Sequence, residues 1–293
     1  MGAKKLDGKA CAGEVEANLL SRIQSLHEKG IEPHLAVIIV GDDPASHVYV
    51  NSKIATCKRL GIRSTHIELP LDASENELKS KVTELNDDQS VHGILIQSPL
   101  PSHMDEEGIT DLISAAKDVD GFHPTNLGRL VQGRLDGMIP CTPHGVLRML
   151  EWAGIELKGK KAVVIGRSRI VGMPLSLLFA ARGIDATVTI AHSKTGDLPQ
   201  VCQEADVLVA AVGIPELVES HWVKPGAVVV DVGINRVDDT SRERGWRLAG
   251  DVSPDVQTLA SWLSPVPGGV GPMTIAMLME NTVRSAELIA MNT

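Results

Sequence analysis

The sequence predicts an α/β protein of two domains, each built around a parallel sheet. Strand-length apolar runs alternate with helical patterns in two separate blocks, which favours parallel strands with helices packed on them. The chain has 293 residues, enough for about two domains at roughly 100–200 residues each. Its longest purely apolar runs, such as residues 35–40, fall far short of the roughly 20 residues that a membrane helix needs.

The first block begins with a helical pattern over residues 9–29, which ends at Gly30, and then alternates strands with helices. The predicted strands cover residues 35–40, 62–69 and 91–97, and the predicted helices cover residues 44–60, 74–86 and 105–116. Pro44 suits a first helical turn, and Ser74-x-x-Glu77 is a capping box. This order predicts a three-layer domain in which helices cover a parallel sheet.

The second block follows a Gly- and Pro-rich connection over residues 118–141, where no apolar period is sustained. A helix over residues 143–153 opens it. The later predicted elements are strands at 161–165, 186–191, 206–212 and 226–232, helices at 170–182 and 198–204, a hairpin within 234–249, a rigid loop at 264–269 and a closing helix at 273–291. This order predicts a second parallel sheet.

Composition and charge exclude several classes of function. The formal charge is −9, from 28 Lys and Arg against 37 Asp and Glu, which leaves no electrostatic footprint for nucleic acid and no basic patch for a membrane. No His, Cys and Asp cluster has the spacing of metal ligands, so no metal site is expected. The four cysteines form no CxxC pair, which favours a reduced, cytoplasmic protein.

A glycine turn at the end of strand 161–165 predicts a dinucleotide site. Gly166, Arg167, Ser168 and Gly172 lie between this strand and an apolar helix, where helix N–H groups can face a pyrophosphate. The spacing departs from the GxGxxG fingerprint, and a strand–turn–helix without a ligand remains the alternative.

The end of the next strand favours NADP over NAD. An NAD site usually carries an acidic residue there, for the ribose 2′-hydroxyl, but this chain has His192-Ser193-Lys194-Thr195. Arg167, Ser193 and Lys194 would offer charge and hydroxyl groups to a 2′-phosphate. The alternative for Lys194 is a solvated loop charge.

A second set of candidate residues lies mainly in the first block. Tyr49 and Lys53 are i and i+4 on one helix and therefore share a face. Gln97 ends a predicted strand, where α/β proteins bind ligands, and Asp120 lies in a polar loop next to a glycine. The stiff segment 265–274 is Pro-Val-Pro-Gly-Gly-Val-Gly-Pro-Met-Thr.

These segments resemble the bifunctional methylenetetrahydrofolate dehydrogenase/cyclohydrolase family over about residues 7–290. Six motifs occur in the family's order: Tyr49-Val-Asn-Ser-Lys53, Gly93-Ile-Leu-Ile-Gln97-Ser-Pro-Leu-Pro101, Asp118-Val-Asp120-Gly-Phe122, Pro140-Cys-Thr-Pro143, Gly166-Arg-Ser-Arg-Ile-Val-Gly172-Met-Pro174 and Pro265–Thr274. Ser98 departs from the apolar residue more common in the family, but this change removes no expected chemical group.

The resemblance implies two reactions in one cleft between the two domains. Family members oxidise 5,10-methylenetetrahydrofolate to the 5,10-methenyl form with a nicotinamide cofactor and then hydrolyse it to 10-formyltetrahydrofolate. It also implies a homodimer, formed through the nucleotide domain, that serves one-carbon metabolism in the biosynthesis of purines, methionine and histidine. A folate-binding catalytic domain would cover residues 1–141 and 271–293, and a Rossmann-like NADP-binding domain residues 142–270.

The resemblance also assigns roles to residues. Lys53 is implied as the essential catalytic residue, with Gln97 orienting it, Tyr49 stacking on the folate and Asp120 binding the amino edge of the pterin. On the same grounds Pro265, Gly268 and Gly269 line the folate site, and Gly166, Arg167, Ser168, Gly172, Ser193 and Ile234 bind the cofactor.

General chemistry places a condition on Lys53. A free lysine has a pKa of about 10.4 and is a poor base at neutral pH. Lys53 must therefore be partly desolvated, lie near positive charge, or act through a bound water. Three other functions remain open: a dehydrogenase without the hydrolase, a shikimate-type NADP-dependent dehydrogenase, and a non-catalytic NADP-binding sensor.

Overall fold

The computed structural model describes residues 2–291 and is an α/β protein, as predicted. The strands are β1 (Lys4–Lys5), β2 (His34–Val40), β3 (Arg63–Leu69), β4 (Gly93–Ile96), β5 (Lys161–Ile165), β6 (Thr187–Ala191), β7 (Val207–Ala210), β8 (Val228–Asp231), β9 (Asn235–Asp238), β10 (Trp246–Ala249) and β11 (Trp262–Leu263). The helices are α1 (Gly8–Glu28), α2 (Pro44–Leu60), α3 (Glu75–Asp87), α4 (Glu106–Thr110), α5 (Pro124–Val131), α6 (Cys141–Trp152), α7 (Gly172–Ala180), α8 (Leu198–Gln203) and α9 (Val270–Met291).

The chain forms two compact units, which we call the N-unit and the C-unit. The N-unit comprises Gly13–Cys141 and the chain from Ile275 onward, and the C-unit comprises the chain up to Ala12 with Thr142–Thr274. The predicted domains instead grouped the first twelve residues with the first block. Residues 1, 292 and 293, which the predicted domains include, lie outside the described residues. The assignment of folate and cofactor to the units stays a prediction.

The N-unit contains a parallel sheet in the order β3-β2-β4. All seven residues of β2 are buried, because this central strand is covered on both faces. One core cluster includes Ile38 and Ile94 from the sheet and Leu78 and Val82 from α3. The predicted capping box is present at the start of α3, where Ser74 Oγ accepts a hydrogen bond from Glu77 N.

The C-unit contains a parallel sheet in the order β1-β11-β8-β7-β5-β6. Residues after the carboxyl ends of β5, β7 and β8 therefore meet at one edge, where nucleotides bind in such folds. The predicted hairpin is present as the antiparallel pair β9 and β10. The first residues belong to this unit because β1 pairs with β11 and Ala3 N donates to Gln257 O.

The short strands β1 and β11 were not predicted, and two longer segments also differ from the prediction. The helix predicted over residues 105–116 ends at Thr110, because the following chain turns to pair with the sheet: Ile94 N donates to Lys117 O, and Asp118 forms a parallel bridge with Ile94. The connection predicted over 118–141 contains α5, which Pro124 begins and His123 caps. Among residues 2–291, none of the helices combines the length and apolar content needed to cross a bilayer.

Candidate active site

Tyr49 and Lys53 lie one turn apart on α2, as predicted. Asp43 caps this helix by accepting from Ser46 N at 2.8 Å, and Pro44 occupies its first turn. The Tyr49 side chain is 39% exposed, so part of its ring is available to a ligand. Lys53 is partly buried on the same face.

Lys53 Nζ donates a hydrogen bond of 2.9 Å to Gln97 Oε1. The end of β4 holds Gln97 in place, because Gln97 N donates to Ile38 O at 2.8 Å. The Gln97 amide nitrogen also donates to Ser98 O at 2.7 Å, which leaves its oxygen directed at the lysine. The structure thus brings together two residues that lie 44 positions apart in the sequence.

The loop that carries Asp120 is organised by a buried residue that was not predicted, Asp118. Its carboxylate accepts hydrogen bonds from the backbone N–H groups of Gly121, Phe122 and His123, and from the side-chain amide of Asn126. The order Asp-x-Asp-Gly was visible in the sequence, since aspartates in loops often accept from backbone N–H groups further along the chain. Nothing in the sequence showed that Asp118 is the buried residue that organises the loop and that Asp120 is the partly exposed one.

Burial and charge set the protonation of this cluster. Burial lowers the pKa of Lys53, while the nearby Asp120 and Cys141 act in the opposite direction. Burial raises the pKa of Asp120 to about 6, an effect that Lys53 opposes. Burial also raises the pKa of the Cys141 thiol, so this cysteine stays protonated at neutral pH. Partial desolvation, one of the three conditions considered for Lys53, is present in the structure.

The turn after β5 has the close packing expected of a dinucleotide site. A side chain at Gly172 would overlap Gly166 O, and one at Gly166 would overlap Ala211 O, so only glycine lets these backbones approach. Ser168 Oγ accepts from Val171 N at 3.1 Å and from Gly172 N at 3.4 Å, so its side chain holds the turn against the start of α7.

Arg167 and Ser193 follow neighbouring strands at equivalent positions. Ile165 pairs with Ala191, and each of the two residues comes two positions after its strand ends. Both side chains are exposed. The turn that carries Ser193 is held by His192 N, which donates to Thr195 Oγ1, and by Lys194 N, which donates to His192 Nδ1. The chemistry of these donors fits a 2′-phosphate, since residues 192–195 include no carboxylate.

The remaining predicted residues also lie in the C-unit. Ile234 follows β8 with 39% of its surface exposed. Pro265, Gly268 and Gly269 form the loop between β11 and α9. The structure therefore brings Tyr49, Lys53, Gln97 and Asp120 to the N-unit and the other predicted residues to the C-unit.

A parallel sheet with a tight glycine turn, combined with a partly desolvated lysine that contacts a glutamine, defines a nucleotide-dependent α/β enzyme. The family models identify the class further. The model for the tetrahydrofolate dehydrogenase/cyclohydrolase catalytic domain matches residues 6–120, and the model for the NAD(P)-binding domain of the same family matches residues 140–290. The chain belongs to the tetrahydrofolate dehydrogenase/cyclohydrolase family.

Individual relatives agree over nearly the full length. The bifunctional protein FolD of Prosthecochloris aestuarii is 51% identical over 285 residues, which cover 96% of this chain and 97% of that protein. The FolD methylenetetrahydrofolate dehydrogenase/cyclohydrolase of Campylobacter jejuni has a TM-score of 0.92 at 47% identity, over 98% of this chain and 99% of that one. The FolD structure from Trypanosoma brucei, complexed with NADP cofactor and an inhibitor, has a TM-score of 0.93 at 37% identity and covers 98% of both chains.

Proposed function

We propose that this chain catalyses two successive reactions on a one-carbon folate. It oxidises 5,10-methylenetetrahydrofolate to the 5,10-methenyl form with NADP, and it hydrolyses that product to 10-formyltetrahydrofolate. Membership of a bifunctional family supports both reactions. It disfavours the monofunctional and shikimate-type alternatives, since both family domains match this chain.

The observation that carries the hydrolytic assignment is the contact between Lys53 Nζ and Gln97 Oε1 at 2.9 Å. Water must attack the methenyl carbon and lose a proton before a C–N bond breaks. An amine whose pKa is lowered by burial can accept that proton, and such proton transfer contributes roughly 10²–10⁴-fold in rate. Gln97 would hold the Lys53 amine in place through this hydrogen bond. The rest of the amine nitrogen would remain available to the attacking water.

Tyr49 and Asp120 are proposed to bind the substrate. The half-exposed Tyr49 ring offers a face on which a planar ring can stack, with Lys53 one turn away. The Asp120 carboxylate is a suitable acceptor for the amino edge of a pterin when it is ionised. The loop with Pro265, Gly268 and Gly269 is proposed to line the same folate.

Oxidation requires alignment and no protein acid or base, because bound NADP accepts the hydride. Arg167, Ser193 and Lys194 are proposed to bind its 2′-phosphate, and Ile234 to contact the cofactor. Gly166, Ser168 and Gly172 would place the start of α7 against the pyrophosphate. The packing of the two glycines supports this assignment.

The experiment that tests the proposal is incubation with methylenetetrahydrofolate, once with NADP and once with NAD. We expect the spectrum of the methenyl form to rise and then decay, with faster formation in the presence of NADP. Formation of the methenyl form without decay beyond the uncatalysed rate would contradict the cyclohydrolase. Formation at equal rates with both cofactors would contradict the NADP preference.

Homodimeric assembly through the C-unit and a cytoplasmic location are further proposals, supported by the family resemblance and the reduced cysteines. A place in the biosynthesis of purines, methionine and histidine is proposed on the family resemblance. Light scattering of the purified chain tests the assembly, for which we expect twice the mass of 31.3 kDa.

A further inference from the structure

Two buried aspartates with no assigned role lie at the edge of the C-unit sheet where its strands end. Asp231 is the last residue of β8, and Asp251 follows β10 by two positions. Asp231 is 4% exposed and Asp251 is fully buried. We call these two residues the carboxylate pair. Buried carboxylates are costly unless hydrogen bonds compensate them, so their partners show what the pair holds in place.

Asp251 connects two of the segments that follow strands. Its Oδ2 accepts from Val212 N at 2.7 Å and from Gly213 N at 3.0 Å, just beyond the end of β7. Its Oδ1 accepts from Asn235 Nδ2 at 3.0 Å. Asn235 adjoins Ile234, and we call Gly233–Asn235 the cofactor segment.

Asp231 connects the cofactor segment to a third position on the same edge. Its Oδ1 accepts from Gly233 N at 3.0 Å and from Asp251 N at 2.8 Å. Its own backbone N donates to the buried Ser264 Oγ at 2.7 Å. Ser264 directly precedes residues 265–269, which we call the substrate loop.

The carboxylate pair is packed against bare backbone, which makes this arrangement rigid. A side chain at Gly233 would overlap the Asp251 carboxylate, and one at Gly250 would overlap the Asp231 carboxylate. The cofactor segment also lies close to the chain that follows the substrate loop. A Cβ atom placed at Gly271 would lie 3.6 Å from Ile234 Cδ1. Six hydrogen bonds from six residues therefore reach the two carboxylates, and four of them come from residues other than the pair itself and Val252.

We propose that the carboxylate pair is a positioning device for the dehydrogenase reaction, which holds the cofactor segment and the substrate loop in one fixed arrangement. Hydride transfer needs donor and acceptor carbons about 3–3.5 Å apart, and small misplacements are costly. Hydrolysis requires no cofactor, so loss of the Asp251 contacts should separate the two activities. The inference rests on the proposed function, because that function supplies the roles of Ile234 and of the substrate loop.

The test compares both activities in Asp251→Ala and Asn235→Ala with the unaltered chain. We expect kcat/KM for NADP in the dehydrogenase assay to fall about tenfold or more in Asp251→Ala. Its cyclohydrolase rate on the methenyl substrate should stay within about twofold, since Lys53 and Gln97 lie in the N-unit and the hydrogen bond from Asp231 N to Ser264, which holds the substrate loop, remains. Asp251→Asn should recover part of the loss, because its amide oxygen can accept from Val212 N and Gly213 N.

Asp206→Ala is the matched control. This carboxylate lies at the opposite edge of the same sheet, where it accepts from Lys161 N and Lys224 Nζ. Its removal should lower stability and leave the ratio of the two activities unchanged.

Proportional loss of both activities in Asp251→Ala would overturn the proposal, as would unchanged dehydrogenase kinetics. Asn235→Ala keeps both carboxylates and removes a single hydrogen bond, the one to Asp251 Oδ1. It is the deciding variant if Asp251→Ala does not fold: a selective dehydrogenase loss supports the proposal, and unaltered kinetics overturn it. An unaltered chain without dehydrogenase activity would instead refute the proposed function.

Discussion

Desolvation together with the Gln97 contact distinguishes Lys53 from the other lysines. Lys117 is desolvated as well, but its Nζ donates to three backbone carbonyl oxygens. Most lysines of this chain are exposed and extend into solvent, whereas Lys53 contacts Gln97 and has a pKa lowered by burial. The Asp120 carboxylate favours the charged amine and thereby limits how far burial lowers the pKa of Lys53. The protonation of the proposed base is therefore set by the balance between burial and one nearby carboxylate.

Asp120 should set the acid limit of substrate binding. Burial raises its pKa to about 6, so the carboxylate is ionised above that pH and neutral below it. We expect KM for the methenyl substrate to rise as pH falls through about 6, because the acceptor for the pterin is lost. Steady-state kinetics at about pH 5 to 8, a range of roughly one to two units on either side of that pKa, measure this change in KM.

The Asp120→Asn variant is the control for this assignment. It should bind the substrate weakly at every pH and lose the inflection near 6. An Asp120→Asn enzyme that kept the same inflection would show that another group causes it.

Arg167 should distinguish NADP from NAD. A charge-assisted hydrogen bond to a phosphate contributes about 1.5–3 kcal/mol, so Arg167→Ala should weaken NADP binding about tenfold or more. NAD binding should change little, because that cofactor lacks the 2′-phosphate. Titration calorimetry with both cofactors measures this. Arg182→Ala, an exposed arginine just beyond the other end of α7, is the matched control, and equal losses for both cofactors in Arg167→Ala would refute the assignment.

At the scale of elements, the contact between the β5 turn and α7 depends on glycine. Gly172→Ala would force a methyl group against Gly166 O, and overpacking of this kind costs about 1–3 kcal/mol. We expect a lower free energy of unfolding together with weaker NADP binding. Chemical denaturation and calorimetry on the same variant measure both effects.

Gly128→Ala is the comparison for this substitution. Gly128 lies within α5, and a side chain there meets nothing within 4 Å. Alanine at this helical position should raise stability by about 0.5–1 kcal/mol. A Gly172→Ala variant as stable as Gly128→Ala, with unaltered NADP binding, would contradict the packing argument.

Elements with strong local signals could be predicted, and elements that depend on distant partners could not. The bounds predicted for α2 and β5 match the structure, because a capped first turn and a buried apolar run are local features. The helix predicted over 105–116 stops early because the chain that follows, at Lys117 and Asp118, pairs with β4, a contact that no local pattern reveals. The strand β1 consists of two lysines, and only its backbone pairing with β11 makes it a strand.

At the scale of the whole molecule, the sequence predicted which residues form the candidate site better than it predicted the hydrogen bonds that hold them. The motifs led to Lys53, Gln97 and Asp120, which the structure brings into one unit. The organising role of Asp118 and the contacts of Asp231 and Asp251 were not predicted. Each of these depends on hydrogen bonds to backbone groups whose positions only the folded chain defines.

Stability should decrease in mild acid because of two buried histidines at the amino-terminal ends of β2 and β4 in the N-unit sheet. Burial lowers the pKa of both His34 and His92. His34 contacts Ser90 O and Thr65 Oγ1, and a protonated ring could no longer accept from the threonine hydroxyl.

The unfolded chain binds protons at these histidines near pH 6.5, whereas the folded chain resists protonation. Their contribution is therefore complete above about pH 6.5 and is lost as pH falls through the folded pKa values, by at most about 1.4 kcal/mol per pH unit for each histidine. Urea denaturation at a series of pH values measures this loss. His92→Leu should reduce it and the exposed His221→Gln should not, so equal acid sensitivity in all three proteins would contradict the explanation.

Lys53 is proposed to carry out the hydrolysis, while a separate set of residues binds NADP. The most direct test measures cyclohydrolase activity on the methenyl substrate and NADP affinity in Lys53→Met, with Lys58→Met, an exposed lysine of the same helix, as the control. We predict that Lys53→Met loses enzymatic hydrolysis but retains its NADP affinity. The Lys58→Met control should keep both. A Lys53→Met enzyme that hydrolyses the methenyl substrate at the rate of the unaltered chain would contradict the account.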